Sequence, residues 1–204
     1  EEGALLDNLL IMQDRVLLED SVRRAFLDNR YPARNIEQTM SDLKAQIAAN
    51  LKGIQALKKL MRERGLQTVQ VYMQHIRANA ALAIREILQE LEEGAGTATM
   101  DDGSIIAVQI KIDKTNKQAV IDFTGTSPQT MNNFNTPRSV VRAAVLYVFR
   151  TLIKHEIPLN DGCSEPLNII IPQGSLLSPS YPRAVVAGNV ETSQIIVDLL
   201  YQCL

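Results

Sequence analysis

Between residues 41 and 91 the apolar positions recur at helical spacing. Leu43, Ile47, Leu51, Ile54, Leu57 and Met61 step by threes and fours, so they share one face of a helix. Thr39 or Ser41 offers an N-cap oxygen, and Asp42 suits the positive end of the helix dipole. Gly65, behind Arg62-Glu63-Arg64, supplies a left-handed stop. A second stripe follows after a short link: Val69, Met73, Ile76, Ala80, Ala83, Ile87 and Leu91. Together they predict an antiparallel helical hairpin over residues 41–93, its apolar seams facing each other. Residues 1–40 form a less regular lead, with a short helix at 17–27 broken by Asp28-Asn29 and Pro32. Residues 4–12 are ambiguous, with a strand among their readings.

At Glu92-Glu93-Gly94 the period changes. Ile106, Val108, Ile110 and Ile112 alternate with Gln109 and Lys111, the two-residue repeat of a strand with one buried face. Residues 113–118 make a hairpin loop, and 119–124 return as a second strand. Thr136-Pro137 marks a helix start, with threonine as cap and proline first, and Val141, Val145, Val148 and Leu152 carry that helix inward. Short apolar strands are predicted at 167–171 and 184–187, and a last helix at 195–204. Residues 94–204 thus read as a mixed subdomain, cut at its carboxyl end, and the chain as α+β. The start at Glu1-Glu2-Gly3 and the stop within an apolar run suggest a piece of a longer polypeptide.

Composition narrows the function. Of 204 residues 46% are hydrophobic, and 21 basic against 23 acidic side chains give a formal charge of -2, which offers no broad basic footprint for nucleic acid. No apolar run approaches membrane-spanning length. Cys163 and Cys203 are too few for a disulfide framework and suggest a reducing, cytoplasmic setting. His75 and His155 read as structural or solvated, so no self-contained metal centre is expected.

Three polar clusters carry candidate chemistry. Residues 184–194 run from an apolar stretch through Gly188 into a helix start bearing Asn189, Glu191, Thr192, Ser193 and Gln194. Free amides at such a start can hold an anion, but the more usual role of Asn189, Thr192 or Ser193 there is simply to cap the helix. The glycine pattern matches neither a P-loop nor a dinucleotide fingerprint. The second cluster is Asn160-Asp161-Gly162-Cys163, above all a turn, with Cys163 either a buried filler or a nucleophile. The third is the strand end Asp122-Phe123-Thr124-Gly125-Thr126-Ser127-Pro128.

These stretches resemble the hydantoinase B / 5-oxoprolinase family. The resemblance is carried by Ile157-Pro158-Leu159-Asn160-Asp161-Gly162-Cys163, by Ile169-Ile170-Ile171-Pro172-Gln173-Gly174, and by the run from Tyr181-Pro182-Arg183 to Glu191-Thr192-Ser193-Gln194. Val120-Ile121-Asp122-Phe123-Thr124-Gly125 and Tyr72-Met73-Gln74-His75-Ile76 add to it, the latter closest to the 5-oxoprolinase branch. The resemblance implies a hydrolase that opens a small cyclic amide with ATP: 5-oxo-L-proline and water to L-glutamate, with ADP and phosphate, a step of glutathione metabolism. It implies that a partner, the hydantoinase A-type ATPase subunit or module, handles ATP, and that the full enzyme is an oligomer. A divalent metal would belong to an amino-terminal part outside this segment, where none is expected. On the family's motif positions, Asn189, Glu191 and Asp161 are the candidate catalytic residues. Thr192, Ser193, Gln194, Asn160 and Gly162 are the candidate substrate-binding residues. Alternatively the segment is a scaffold joining the modules of such an enzyme, or of a related hydantoinase or acetone carboxylase.

Overall fold

A computed structural model describes residues 4–204 of the chain. It divides into two compact units, one ending at Gln70 and one spanning Val71–Leu204.

In the first unit, β1 (Met12–Gln13) and β2 (Val16–Leu17) form a small hairpin. Its two turn residues, Asp14 and Arg15, both take positive φ, the geometry that matches strand twist. Helix α1 (Glu19–Leu27) buries Val22 and ends where the Asn29 carboxamide donates to the carbonyls of Ala25 and Phe26. Helix α2 (Ile36–Arg64) begins five residues before the expected Ser41, because the Asn35 side chain accepts from the Gln38 amide at 3.1 Å. Neither Thr39 nor Ser41 is its cap; the Thr39 hydroxyl donates backward to the Asn35 carbonyl. Arg23 ties α1 to α2 by reaching both Glu19 and Glu37, and Gly65, at φ +84°, ends α2. The predicted stripe of α2 lies in the open at Leu51, Ile54 and Leu57.

Helix α3 (Leu66–Ile87) starts immediately after Gly65. Its stripe is buried at Val69, exposed at Met73 and Ile76, and joins the main core from Ala80 onward, with Ala83, Ile84 and Ile87. That core belongs to the second unit, a four-stranded sheet in the order β3 (Gly94–Thr99), β4 (Ile105–Asp113), β5 (Gln118–Asp122), β6 (Leu167–Ile170). The first three strands are antiparallel neighbours, whereas β6 lies parallel to β5. Ile106, Val108, Ile110 and Ile112 point inward, as their alternation requires. Against them pack α3, α4 (Arg138–Thr151) and α5 (Glu191–Cys203).

One strand was not anticipated and two local expectations fail. β3, with the sequence Gly-Ala-Gly-Thr-Ala-Thr, has no large alternating side chains to announce it; its glycines let α5 approach, and a Cβ on Gly94 would sit 1.9 Å from the Cys203 carbonyl oxygen. The apolar residues 184–187 form no strand, since the Ala184 carbonyl accepts from the Asn135 side chain and the Ala187 amide donates to Asn133. Thr136 does not cap α4: Pro137 occupies that position, and the Thr136 hydroxyl is buried without a partner.

Candidate active site

Because β5 and β6 are parallel, both release their chains at the same end of the sheet. Their following loops gather there, the place where open sheets commonly present ligand contacts. The loop after β5 feeds α4, and the loop after β6 feeds α5, so the positive ends of two helix dipoles meet the same loops.

A buried asparagine ties this end together. Asn135 is fully buried; its oxygen accepts from the Thr130 amide at 2.7 Å, and its nitrogen donates to the carbonyls of Thr130, Asn132 and Ala184. With all these bonds satisfied, burial of the carboxamide holds residues 130–135 against 184. Next to it, Gly188 is pressed so closely on the chain that an added Cβ would lie 2.2 Å from the Asn135 carbonyl oxygen. Thr192, also fully buried, donates its hydroxyl to the Phe134 carbonyl at 2.5 Å. Asn132 in turn donates to Asp102, whose carboxyl is held below its ordinary range mainly by the Ser104 amide, with help from Asn132 and against some loss of solvation.

This knot fixes where α5 begins. A 3-10 turn at Ala187–Asn189 leads into Val190, the N-cap, and no side chain bonds the first amides of the helix. Thus Asn189, Thr192 and Ser193 are not caps; Ser193 instead donates to the carbonyls of Asn189 and Val190. Between α4 and α5 lies a groove of about 600 Å³, lined by Val140, Ala143 and Tyr147 on one side and Asn189, Ser193, Gln194 and Asp198 on the other. Three candidate residues, Asn189, Ser193 and Gln194, therefore share one groove. Glu191 stands exposed on the same first turn but does not line it, and Thr192 faces the interior.

The second candidate group lies elsewhere. The Asn160 oxygen accepts from the Gly162 amide at 2.8 Å, opening a 3-10 turn at Asp161–Ser164, and its nitrogen reaches the carbonyls of Pro158 and Ile76. Gly162 presses on α3, where a Cβ would sit 2.1 Å from the Arg77 carbonyl oxygen. Asp161 is exposed, 3.7 Å from an Arg77 guanidinium that also bonds Glu165. None of these three lines the groove. Cys163 is fully buried, a filler of the core.

Tyr147 and Asp198 are the polar groove residues that sequence reasoning missed. The available signal was the face of α4 away from its buried Val141, Val145 and Val148, where Val140, Ala143 and Tyr147 recur at three and four, and the Gln194–Asp198 pair at i,i+4 on α5. The groove offers carboxamides, hydroxyls and one carboxylate, with no lysine or arginine, so it does not fit a triphosphate, which calls for cationic donors. Among the described residues no three of histidine, cysteine, aspartate and glutamate gather as a metal-holding group, and no helix is long and apolar enough to cross a membrane.

The chain is similar to several characterised proteins. It is 42% identical to the 5-oxoprolinase of Dictyostelium discoideum over 98% of this chain and 16% of that protein. It is 40% identical to 5-oxoprolinase 1 of Arabidopsis thaliana, again over 98% of this chain and 18% of the relative. The chain thus spans less than a fifth of the length of these relatives. In structure it resembles the ATP-dependent caprolactamase of Pseudomonas jessenii, with a TM-score of 0.73 at 20% identity, over 94% of this chain and 34% of that one. The two therefore share a fold. The family description Hydantoinase B/oxoprolinase matches residues 1–204, and with relatives near 40% identity along almost its whole length, the chain belongs to the hydantoinase B/oxoprolinase family.

Proposed function

We propose that the chain forms the ring-binding part of an ATP-dependent cyclic amide hydrolase acting on 5-oxo-L-proline in the cytoplasm, with ATP handled by a partner A-type ATPase module. The observation that carries this reading is the convergence of Asn189, Ser193 and Gln194 on one groove with Tyr147 and Asp198. The relatives' names support it: several are 5-oxoprolinases, and the structural neighbour is a caprolactamase, so both names denote action on a cyclic amide.

A lactam is a resonance-stabilised amide in an unstrained ring, so water attacks it slowly. Phosphorylation of the amide oxygen by ATP supplies the missing electrophilicity. The groove itself has no cation for a triphosphate, which favours a nucleotide site on another module. The chain's own part is recognition and placement. Carboxamides such as Asn189 and Gln194 present a donor and an acceptor each, the complement of a lactam N–H and C=O. The hydroxyls of Ser193 and Tyr147 orient the ring, and Glu191, exposed on the same turn but outside the groove lining, is the residue we assign to accept a proton from the attacking water. Asp161 organises the turn that clips to α3 and touches no reacting atom.

The test is Asn189→Ala and Gln194→Ala in the complete enzyme, with ATP-dependent glutamate release as the readout. Losing a donor aimed at developing charge costs about 10²- to 10³-fold in kcat. Unchanged turnover with an unchanged melting temperature refutes the assignment. Glu191→Gln separates proton transfer from binding: kcat falls while KM holds. The scaffold reading also has an observation in its favour, the open apolar face of α2.

A further inference from the structure

Helix α2 carries the seven-residue repeat of a coiled-coil seam. Met40, Leu43, Ile47, Asn50, Ile54, Leu57 and Met61 alternate in steps of three and four, with Asn50 as the one polar layer. Met40 is buried, but further along the seam is open. Ile54 is 49% exposed and Leu57 39%, with Leu51 and Leu60 exposed beside them. A run of large apolar side chains in water is a liability unless something covers it.

The charge beside the seam says what does. Over its last thirteen residues α2 bears Lys52, Lys58, Lys59, Arg62 and Arg64 against the single carboxylate Glu63, in a chain whose overall charge is negative. Lys59 lies 3.8 Å from Glu63, while Lys52, Lys58, Arg62 and Arg64 have no acidic partner among the described residues. Counting Met40 as the first position of the repeat, Lys44 and Lys58 flank the seam directly. A second copy is a poor occupant. Parallel pairing brings the two basic ends together, and antiparallel pairing in register offers Lys58 of each helix only a Lys44 whose carboxylate partner, Glu19 at 3.1 Å, is already engaged. The geometry points to a different partner: a heptad-patterned helix of another module or subunit, with glutamate or aspartate flanking its seam and a polar residue facing Asn50.

The experiment uses the 204-residue chain and two synthetic helices about four heptads long. Both carry the same isoleucine/leucine seam with one asparagine layer; one has glutamate at the flanking positions, the other lysine. By fluorescence anisotropy at low salt, the glutamate peptide binds at least about tenfold tighter than the lysine peptide, and the gap narrows as salt screens the charges. Lys58→Glu with Arg62→Glu, both on the solvated surface of α2, reverses the preference while helicity is retained. Equal affinity for the two peptides, or binding of neither, overturns the proposal. So does concentration-dependent dimerisation of the chain that Ile54→Glu abolishes, which makes a second copy the occupant. Binding to phosphatidylglycerol vesicles that the glutamate peptide cannot displace overturns it too, in favour of a lipid surface.

Discussion

Gly188→Ala tests the knot that positions the groove. The new Cβ would lie 2.2 Å from the Asn135 carbonyl oxygen, 2.6 Å from the Thr136 hydroxyl and 2.7 Å from the Thr136 Cα. Carbon–oxygen contacts normally close no nearer than about 3 Å, so a methyl here must drive two backbone segments apart. Backbone cannot swing aside as a flexible side-chain end can, and overpacking of this kind costs about 1–3 kcal/mol or more. Displacement also strains the bonds from Asn135 to Ala184 and from Thr192 to Phe134, placing the expected loss near the top of that range. For a chain of this size about 3 kcal/mol lowers Tm by about 6–12 °C. Gly53→Ala is the matched control: Gly53 sits inside α2 with nothing within 4 Å of its would-be Cβ, so alanine there stabilises by about 0.5–1 kcal/mol. Thermal unfolding of the two variants, followed by circular dichroism, should move in opposite directions. A Gly188→Ala protein melting within about 2 °C of the parent refutes the close approach, and with it the placement of Asn189 and Ser193.

Thr192→Val keeps the shape but leaves the Phe134 carbonyl without its donor, so stability should fall by about 1–3 kcal/mol in urea titrations with an unchanged m-value. Asp161→Asn weakens an exposed pairing with Arg77 and keeps an oxygen to accept from the Ser164 hydroxyl; turnover of the complete enzyme should stay within about twofold, and a larger loss would return Asp161 to the catalytic machinery. Asp102 has a depressed folded pKa, so its contribution is present above the ordinary carboxylate range and is lost as pH falls through the lower, folded value. Acid titration of stability should therefore be shallower in Asp102→Asn than in the parent, and identical curves would show that the Ser104 and Asn132 contacts are not made.

The chain's local periods determined much of its fold. The three- and four-residue spacing of α2 and the alternation of β4 are properties of residues a few positions apart, and both elements appear where those patterns lie. Gly65 ends its helix for an equally local reason, since glycine accepts φ +84° without a Cβ clash. The family motif around residues 184–194 likewise marked the helix start that lines the groove.

Tertiary structure decided the rest, because those outcomes depend on partners dozens of residues away. β3 exists through its pairing with β4 and the approach of Cys203, neither of which shows in an alanine-glycine-threonine run. Residues 184–187 are apolar enough for a strand, yet Asn135, 49 residues upstream, takes a carbonyl there and turns the chain aside. The same long-range bonds separated the two candidate clusters, drawing Asn160–Gly162 onto α3 and leaving Asn189, Ser193 and Gln194 beside Tyr147 and Asp198. Local energetics choose helix or strand within a few residues, whereas a groove is made only when distant backbones find their hydrogen-bond partners.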